Sequence, residues 1–425
     1  MIFGWGLGSL GLSTILNTLN VLLVAYLTLV VGLDPALAGS LVLLAKVYDM
    51  VTDLPMGWLS DRTVTPLGPR RPYLLAAGII TPLAMMLLFS PPAIDPVTYI
   101  TVALLLYASG YTLFNVPYLS MPAELASDTH LRTRMMAHRS AFIAGGTFFG
   151  VALAPYLVGS LGGGEAGYSV LGKVMAVVVA IAVLGSFYLT RSDHPRQAQQ
   201  VYMPLRQQMA VLLSNRHFLA LLGIKVTHLL ALATGAGSLF FFIRFALGYD
   251  MQVLGIYGGV TTLFWALSMP FWSRMARLRG KRWGYFVATT AYALVTLSWL
   301  MAGPDEPFAI LLLRGMTFGI ISGGMLLMGN AMLQDVMDLD FRETGKRKNG
   351  LFAGMYSLTE KLTSGIGAQI LGVVLSVTGF SRLAVEQSES AIQGIYFTVA
   401  VIPAALMVLS LAAIWLYRLD ESKLT

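Results

Sequence analysis

The stretch YDMVTDLPMGWLSDRTVTPLGPRRP (Tyr48–Pro72) places two aspartates in an otherwise apolar segment and then ends in a run of arginines. Asp49 and Asp53 are four residues apart, so on a helix they lie on one face, one turn from each other. Charged side chains in a membrane-spanning helix are costly and usually mark a pathway or a relay. The stretch therefore predicts a membrane helix with a functional face, followed by a basic turn on the cytoplasmic side.

The composition is that of an integral membrane protein. Of 425 residues, 56% are hydrophobic and only 12% charged, and uncharged apolar runs occur at Val174–Thr190 and Phe397–Tyr417. A spanning helix needs roughly 20 apolar residues. Divided at charged, Pro and Gly breaks, the chain is predicted to be an all-α membrane protein with twelve transmembrane helices, at residues 5–32, 37–60, 71–91, 97–122, 138–160, 169–190, 217–246, 251–273, 281–302, 307–332, 349–379 and 391–418.

The charges alternate from loop to loop. Basic residues fill every second loop: Arg62, Arg70, Arg71; Arg132, Arg134; Arg191, Arg196, Arg206, Arg216; Arg274, Arg277, Arg279, Lys281, Arg282; Lys346, Arg347, Lys348. Lys and Arg accumulate on the cytoplasmic side of membrane proteins. The pattern predicts a multi-pass protein of the inner (cytoplasmic) membrane with both termini in the cytoplasm. It also accounts for the net charge of +7 without a nucleic-acid partner.

The chain divides into two halves. The longest polar stretch between predicted helices is Arg191–Arg216, which predicts a cytoplasmic linker (191–216) between six-helix bundles at 1–190 and 217–425. The loop GWLSDRTVTPLGPRRPY after the second helix also has a counterpart, FWSRMARLRGKRWGY, after the eighth. Two related six-helix halves are the outline of the major facilitator fold, in which the solute binds near the midplane between the halves.

The aspartate pair is the first candidate site. Two buried carboxylates one turn apart repel each other unless they share a proton or a cation. Thr52 on the neighbouring face adds an oxygen, and oxygen ligands suit hard cations such as Na⁺. The alternative is a structural role, with the aspartates neutralised by Lys46, Arg139 or Lys361. The functional interpretation is favoured because intramembrane charge is costly.

Other polar residues are candidates for the gate and the solute site. In the turn after the second helix, Asp61 is expected to pair with a basic residue and hold one state of the transporter, although topology alone would also account for its arginines. The gating candidates are Asp61, Arg62, Arg70 and Arg71. The candidates for solute contact are Asn17 and Asn20 in the first helix, Tyr111 and Asn115 on one face of the fourth, Arg314 in the tenth and Lys361 in the eleventh.

Several function classes are excluded or unsupported. The chain has no cysteine, so thiolate nucleophiles and thiolate metal sites are absent. It has no GxxxxGK[ST] loop and no HExxH motif, so neither an ATP-driven pump nor a zinc enzyme is encoded. Lys225, His228 and Arg244 lie near predicted helix ends, where long side chains can reach the interface, so a functional role is not expected of them.

The opening stretch resembles the glycoside-pentoside-hexuronide:cation symporters, the melibiose permease group. That family has two aspartates four apart, then a Gly-x-x-x-Asp-Arg-Thr loop and an arginine pair, matched here by the residues from Asp49 to Pro72, with Leu54 interposed before Pro55. The stretches YTLFNVPYLSMPAELASDTHLRTRMMAHR and QDVMDLDFRETGKRKNGLFAGMYSLTEKL are similar to two further family motifs.

The resemblance implies roles for individual residues. It puts the cation site at Asp49, Asp53, Thr52 and Thr112, with Na⁺ held by Asp49 and Asp53 if the protein is sodium coupled. It matches Lys361 to the lysine of the eleventh helix and Arg139 to an arginine of the fifth. Ser13 and Asn115 stand where the melibiose permease has sugar-binding carboxylates. Those carboxylates grip sugar hydroxyls through charge-assisted hydrogen bonds, and this chain lacks both of them at these positions.

The expected function is symport and not catalysis. A cation, Na⁺ or H⁺, would bind the aspartates and favour both solute binding and reorientation of the halves, so that the protein moves a sugar or glycoside by alternating access. No cofactor other than the coupling ion is expected, and the protein is expected to be a monomer in the bilayer. The alternatives are a cation-dependent transporter of a lysolipid-like or other amphipathic solute, and a non-transporting bundle that assists assembly or binds a pigment.

Overall fold

The structure is a computed structural model that describes residues 2–90, 95–125, 129–190, 205–345, 348–384 and 386–417. Within these ranges every regular element is helical, and twelve helices are long. They are α1 (Ile2–Val31), α2 (Pro35–Arg62), α3 (Arg71–Leu88), α4 (Pro96–Leu125), α5 (Thr129–Phe148, continued to Ser160), α6 (Gly164–Leu189), α7 (Arg216–Ala246), α8 (Met251–Arg279), α9 (Lys281–Met301), α10 (Phe308–Thr344), α11 (Asn349–Val377) and α12 (Glu389–Leu416).

Ten of these helices are long and apolar enough to cross a membrane. The other two, α2 and α11, have 28 and 29 residues and carry charged side chains in the middle of their length: Lys46, Asp49 and Asp53 in α2, and Glu360 and Lys361 in α11. The prediction of an all-α membrane protein is confirmed. The predicted helix ends differ most from the structure. Helix α10 continues to Thr344, whereas it was predicted to end at residue 332, and α5 begins at Thr129, whereas it was predicted to begin at residue 138.

The chain forms two compact units. The first comprises Met1–Gln200, Tyr249–Gly259 and Phe380–Val385, and the second comprises Val201–Gly248, Val260–Gly379 and Glu386–Thr425. Of the predicted linker 191–216, residues 191–204 lie outside the described part of the chain, and Leu205–Ser214 forms a short helix. The domain limits 1–190, 191–216 and 217–425 stay a prediction.

Helix α2, which carries the aspartates, has well-defined ends. Asp34 caps its start, because its Oδ1 accepts hydrogen bonds from the backbone N–H of Ala36 at 2.9 Å and Leu37 at 3.3 Å, and a proline follows at the first helical position. Pro55 lies inside the helix. Proline has no N–H to donate to the carbonyl four residues earlier, so the helix loses one internal hydrogen bond two residues after Asp53.

In the first unit, a cluster of three aromatic rings joins three helix ends. Helix α1 closes with a π-helical segment, Tyr26–Val31. The ring of Tyr26 lies 5.0 Å from that of Phe89, just after α3, and 4.8 Å from that of Tyr168 near the start of α6. All three side chains are buried. The cluster fixes the ends of α1, α3 and α6 against one another.

The second unit repeats this arrangement. Helix α7 also closes with a π-helical segment, Phe242–Ala246. The ring of Phe242 lies 5.1 Å from both Trp299, at the end of α9, and Tyr396, near the start of α12. The first, third and sixth helices of each set of six therefore meet through one aromatic cluster, which is the internal repeat that the two related loops indicate.

Arginines in the two related loops repeat a second contact. Arg71 at the start of α3 donates from Nε and Nη2 to the carbonyl of Phe187 near the end of α6, at 3.2 and 3.0 Å. Arg282 at the start of α9 donates to the carbonyls of Ile414 and Trp415 near the end of α12, at 3.2 and 3.3 Å. A cation at a helix C-terminus satisfies free carbonyls and complements the helix dipole, so each loop arginine ties the third helix of its set to the sixth.

We expect Gly146→Ala to destabilise the protein, because α1 and α5 pack too closely for a side chain there. A Cβ at Gly146 would lie 2.5 Å from the carbonyl oxygen of Leu10, whereas one at Gly145 would approach no atom closer than 3.7 Å. Overpacking of this kind costs about 1–3 kcal/mol. Thermal unfolding of the purified variants tests this, with Gly145→Ala as the matched control. Equal melting temperatures for the two variants would contradict the close packing.

Candidate functional site

The two aspartates of α2 converge on one threonine of α4. The Thr112 hydroxyl donates to Oδ1 of Asp49 at 2.6 Å and lies 3.3 Å from Oδ1 of Asp53. Asp49 and Thr112 are buried, with 4% and 3% of their surface exposed. A hydroxyl has one hydrogen to donate, so it cannot satisfy both carboxylates at once. The arrangement brings two carboxylate oxygens close to one hydroxyl oxygen.

A second threonine adds to this oxygen cluster. Thr52 Oγ1 lies 3.2 Å from Thr112 Oγ1 and donates within its own helix to the carbonyls of Tyr48 and Asp49. One turn away, the hydroxyls of Tyr48 and Ser109 are 3.0 Å apart, which fixes α2 against α4 at the same level. The structure thus brings together all four residues predicted for cation binding. The side-chain ligand atoms they offer are all oxygen, as hard cations prefer.

Lys46 sets the charge balance of the site. It is buried on α2, one turn before Asp49, and its Nζ lies 6.0 Å from the centroid of the Tyr107 ring. One lysine and two ionised aspartates on one helix face sum to a charge of −1. Lys46 can therefore balance one of these two carboxylate charges.

Asn17 belongs to a polar cluster between α1 and α5. Its Nδ2 donates to the carbonyl of Ser13 at 2.8 Å and lies 3.3 Å from Thr147 Oγ1. Ser13 Oγ donates to the carbonyl of Ile143 at 2.9 Å and is 3.0 Å from Thr147 Oγ1. These contacts satisfy both side chains inside the first unit, at the positions where a sugar-binding role was expected.

The other solute candidates of the first unit differ in their surroundings. Tyr111 and Asn115 are buried on α4, and Asn20 is exposed on α1. Arg139 on α5 is half-buried, and within the described residues its buried Nε has no hydrogen-bond acceptor. A buried donor without an acceptor is costly, so the Nε of Arg139 has a hydrogen bond to offer to an added ligand.

The four gating candidates all make contacts within the first unit. Arg70 donates to Asp61 Oδ1 at 2.5 Å and to Ser60 Oγ at 2.6 Å, and it is buried. Arg62 stacks over the Trp58 ring at 4.1 Å, and Arg71 reaches α6 as described above. These contacts hold the ends of α2, α3 and α6 together. A gating role for them stays a prediction.

The Arg314 guanidinium contacts residues of its own unit. Its guanidinium pairs with Glu306, donates to the hydroxyl of Ser298 at 3.0 Å and to the carbonyl of Ser298 at 3.1 Å, and lies 4.8 Å from the Trp299 ring. These contacts join α10 to the end of α9. That Arg314 contacts the solute stays a prediction. In this structure its guanidinium already donates to protein acceptors.

The second unit contains a charged cluster that the sequence analysis missed. Lys225 and His228 were expected to reach the interface from a helix end, and this was wrong, because both are buried on α7. The Lys225 ammonium donates to Glu360 of α11 at 2.7 Å and lies 3.0 Å from the centroid of the Tyr356 ring. His228 Nδ1 is 3.1 Å from the Tyr285 hydroxyl of α9. Neighbouring Lys361 is half-buried.

Comparisons with known proteins agree with this architecture. Over 429 residues the chain is 26% identical to a putative glycoside/cation symporter of Escherichia coli (strain K12), covering 99% of this chain and 92% of the relative. It is also 26% identical to a glucuronide carrier protein homolog of the same organism, covering 99% and 93% of the two chains. The crystal structure of a mutant of the nucleoside transporter NupG superposes with a TM-score of 0.71 at 13% identity, over 98% of this chain and 100% of that one, which shows a common fold.

The family is shown by a match along almost the whole chain. The family model described as "MFS/sugar transport protein" matches residues 4–421, a range that contains every long helix except the first residues of α1. The protein therefore belongs to the MFS/sugar transport protein family, a family of membrane transporters.

Proposed function

We propose that this protein is a cation-coupled symporter for a sugar or glycoside, with the coupling ion held by Asp49, Asp53, Thr52 and Thr112. The observation that carries the proposal is the shared threonine, whose hydroxyl lies 2.6 Å from one aspartate and 3.3 Å from the other. Two carboxylates this close to a common point repel each other, and a bound proton or cation relieves that repulsion.

The charge of the site supplies the coupling. With both aspartates ionised, Lys46, Asp49 and Asp53 together carry a charge of −1, which disfavours any state that closes the site away from water. Binding one Na⁺ or H⁺ removes that charge and so favours reorientation. A solute that binds better to the ion-loaded form is coupled to the ion, because the coupling free energy between two sites is reciprocal.

The solute assignment rests on the relatives and on Arg139. Two relatives are named for glycosides and glucuronides. Arg139 presents a buried Nε with no acceptor within the described residues, and a sugar hydroxyl or ring oxygen can accept from it. Asn17, Asn20, Tyr111, Asn115, Arg314 and Lys361 complete the proposed solute set. Asp61, Arg62, Arg70 and Arg71 are proposed to stabilise one state of the gate.

The proposal also covers the membrane, the orientation and the oligomeric state of the protein. It acts as a monomer in the cytoplasmic membrane, with both termini in the cytoplasm, and it needs no bound cofactor other than the coupling ion. The six-helix segments 1–190 and 217–425 move as halves on either side of the segment 191–216. Its partners are the solute, the cation and the bilayer.

Uptake into proteoliposomes tests the proposal. Purified protein is reconstituted, and labelled neutral glycosides, glucuronides and a lysolipid are offered with an inward gradient of Na⁺, Li⁺ or H⁺. We expect one glycoside class to accumulate above its external concentration only with one of the cation gradients. Accumulation of the lysolipid alone would overturn the sugar assignment. Equilibration of a glycoside with no response to any gradient would overturn the coupling.

Thr112→Val should weaken cation binding without unfolding the protein. The substitution keeps the shape of the side chain and removes the hydroxyl that donates to Asp49. The lost hydroxyl is one of the oxygens proposed to hold the cation, so we expect the cation affinity to fall by roughly tenfold, which corresponds to about 1.4 kcal/mol. Calorimetry or ion-dependent thermal shift measures this. Thr101→Val on the same helix should leave the affinity unchanged, because the Thr101 hydroxyl donates to the carbonyl of Val97 in its own helix. A similar loss in both variants would contradict a specific role.

A further inference from the structure

A cleft on the second unit combines arginines with exposed aromatic rings. It has a volume of about 480 Å³ and is lined by Arg279, Arg282, Trp283, Phe286, Ile414 and Trp415. These residues lie where α8 ends, α9 begins and α12 ends. The cleft is therefore at the level where apolar helices meet the basic loop, which is the membrane–water interface.

The charge around the cleft is of one sign. Five of the nine residues from Arg274 to Arg282 are basic and none is acidic. Lys281 is neutralised by Asp335, whose carboxylate it contacts at 2.5 and 2.7 Å. Arg274, Arg277 and Arg279 are exposed, and none of the ion pairs found within the described residues includes them. The surface keeps an excess of positive charge that an anion would balance.

The side chains that line the cleft change from charged to aromatic with depth. Arg279 lies over the Trp283 ring, 4.6 Å from its centroid, so its planar guanidinium is held in place while staying exposed. Arg282 uses Nε and Nη2 for the end of α12. The rings of Trp283 and Trp415 are exposed, as is typical of aromatic side chains at the level of lipid headgroups. Phe286, one turn further into α9, is exposed as well and continues the lining toward the membrane interior.

We propose that this cleft binds one anionic glycerophospholipid from the cytoplasmic leaflet. Its phosphate would lie between the guanidinium groups of Arg279 and Arg282, which match phosphate geometry. Its glycerol backbone would lie against Trp283 and Trp415, and its acyl chains would follow Phe286 along α9. Basic pockets between transmembrane helices on the cytoplasmic side suit anionic headgroups. A zwitterionic lipid lacks the net charge that this surface selects.

The test is lipid binding to the purified full chain, measured by native mass spectrometry and by thermal stability in nanodiscs. The probes are phosphatidylglycerol, phosphatidylcholine and inorganic phosphate. We expect phosphatidylglycerol to bind more tightly than phosphatidylcholine and inorganic phosphate to have no effect. Equal binding of the two lipids would overturn the proposal. Stabilisation by inorganic phosphate equal to that by phosphatidylglycerol would show a free-anion site and overturn it too.

Two arginines give a matched pair of variants. Arg279→Gln removes a charge that lines the cleft, and Arg277→Gln removes one two residues away that does not. We expect phosphatidylglycerol affinity to fall about fivefold in the first and to stay within twofold in the second. Equal losses would mean diffuse attraction to the basic loop and would overturn a defined site. If Arg279→Gln proves unstable in phosphatidylcholine, Arg279→Lys replaces it, since it keeps the charge but loses the bidentate fork, and full affinity in that variant would overturn the phosphate contact.

Discussion

Asp53→Asn will remove most of the stabilisation that the protein gains from its coupling cation. The change takes the group of Lys46, Asp49 and Asp53 from a charge of −1 to zero, so a cation no longer gains from entering. We expect the cation affinity to fall about 100-fold, which corresponds to about 2.8 kcal/mol. At a cation concentration near 100 times the wild-type Kd, the wild type gains about 2.7 kcal/mol of stability and the variant only about 0.4 kcal/mol. Thermal unfolding against Na⁺, Li⁺ and pH measures the difference.

Asp95→Asn is the matched control. Asp95 is an aspartate outside the membrane spans, just before α4, where its carboxylate accepts from the backbone N–H of Thr98 at 3.1 Å, and its loss should leave the cation response intact.

The pH dependence of the stabilisation distinguishes Na⁺ coupling from H⁺ coupling. Because protons compete with Na⁺ for the same oxygens, a sodium response weakens as the pH falls, whereas a proton site gives stabilisation on acidification that the Asp53 variant lacks. A cation response that survives in Asp53→Asn would leave the aspartates with a structural role only.

Most of the fold could be predicted from the sequence because lipid imposes a simple rule. A segment that crosses the membrane must bond its own backbone and be apolar over roughly 20 residues, and this pattern is readable without long-range information. The helix ends are not governed by that rule. Helix α10 continues to Thr344, and near its end Asp335 and Asp340 contact Lys281 and Lys348 at 2.5 and 3.0 Å, whereas the sequence showed only a rise in polarity there.

The candidate site was predictable where its residues share one helix. The spacing of Asp49, Thr52 and Asp53 placed them together on α2, but Thr112 is 63 residues from Asp49 along the chain and was assigned only through the family resemblance. The surroundings of Lys225, by contrast, could not be predicted from its own helix. Its position near a helix start suggested an interfacial side chain, while its partner Glu360 is 135 residues away. Periodicity does not tell which face of a helix meets which neighbour.

The ion pair between Lys225 and Glu360 should be strongly asymmetric in its contribution to stability. The Lys225 side chain is only 5% exposed, whereas that of Glu360 is 56% exposed. Glu360→Gln therefore leaves a buried ammonium over the Tyr356 ring without its carboxylate partner, and because Glu360 is largely exposed we expect a cost below the roughly 3–5 kcal/mol found when both partners are buried. Lys225→Met leaves a carboxylate that is already largely exposed, so we expect it to cost less. Chemical or thermal unfolding of the purified variants measures both.

The double variant tests whether the uncompensated charge of Lys225 causes the loss of stability in Glu360→Gln. If the cost of Glu360→Gln is the uncompensated charge of Lys225, then Lys225→Met combined with Glu360→Gln will be more stable than Glu360→Gln alone, because no buried charge remains. The coupling free energy from this double-mutant cycle should lie at the upper end of the roughly 0.5–3 kcal/mol seen for contacting residues. Glu343→Gln, at an exposed position of α10, controls for the loss of one acidic charge. Equal stability of Glu360→Gln and Glu343→Gln would show that the ion pair adds nothing beyond one surface charge, and the cluster of α7, α9 and α11 would then have no electrostatic role in holding the second unit together.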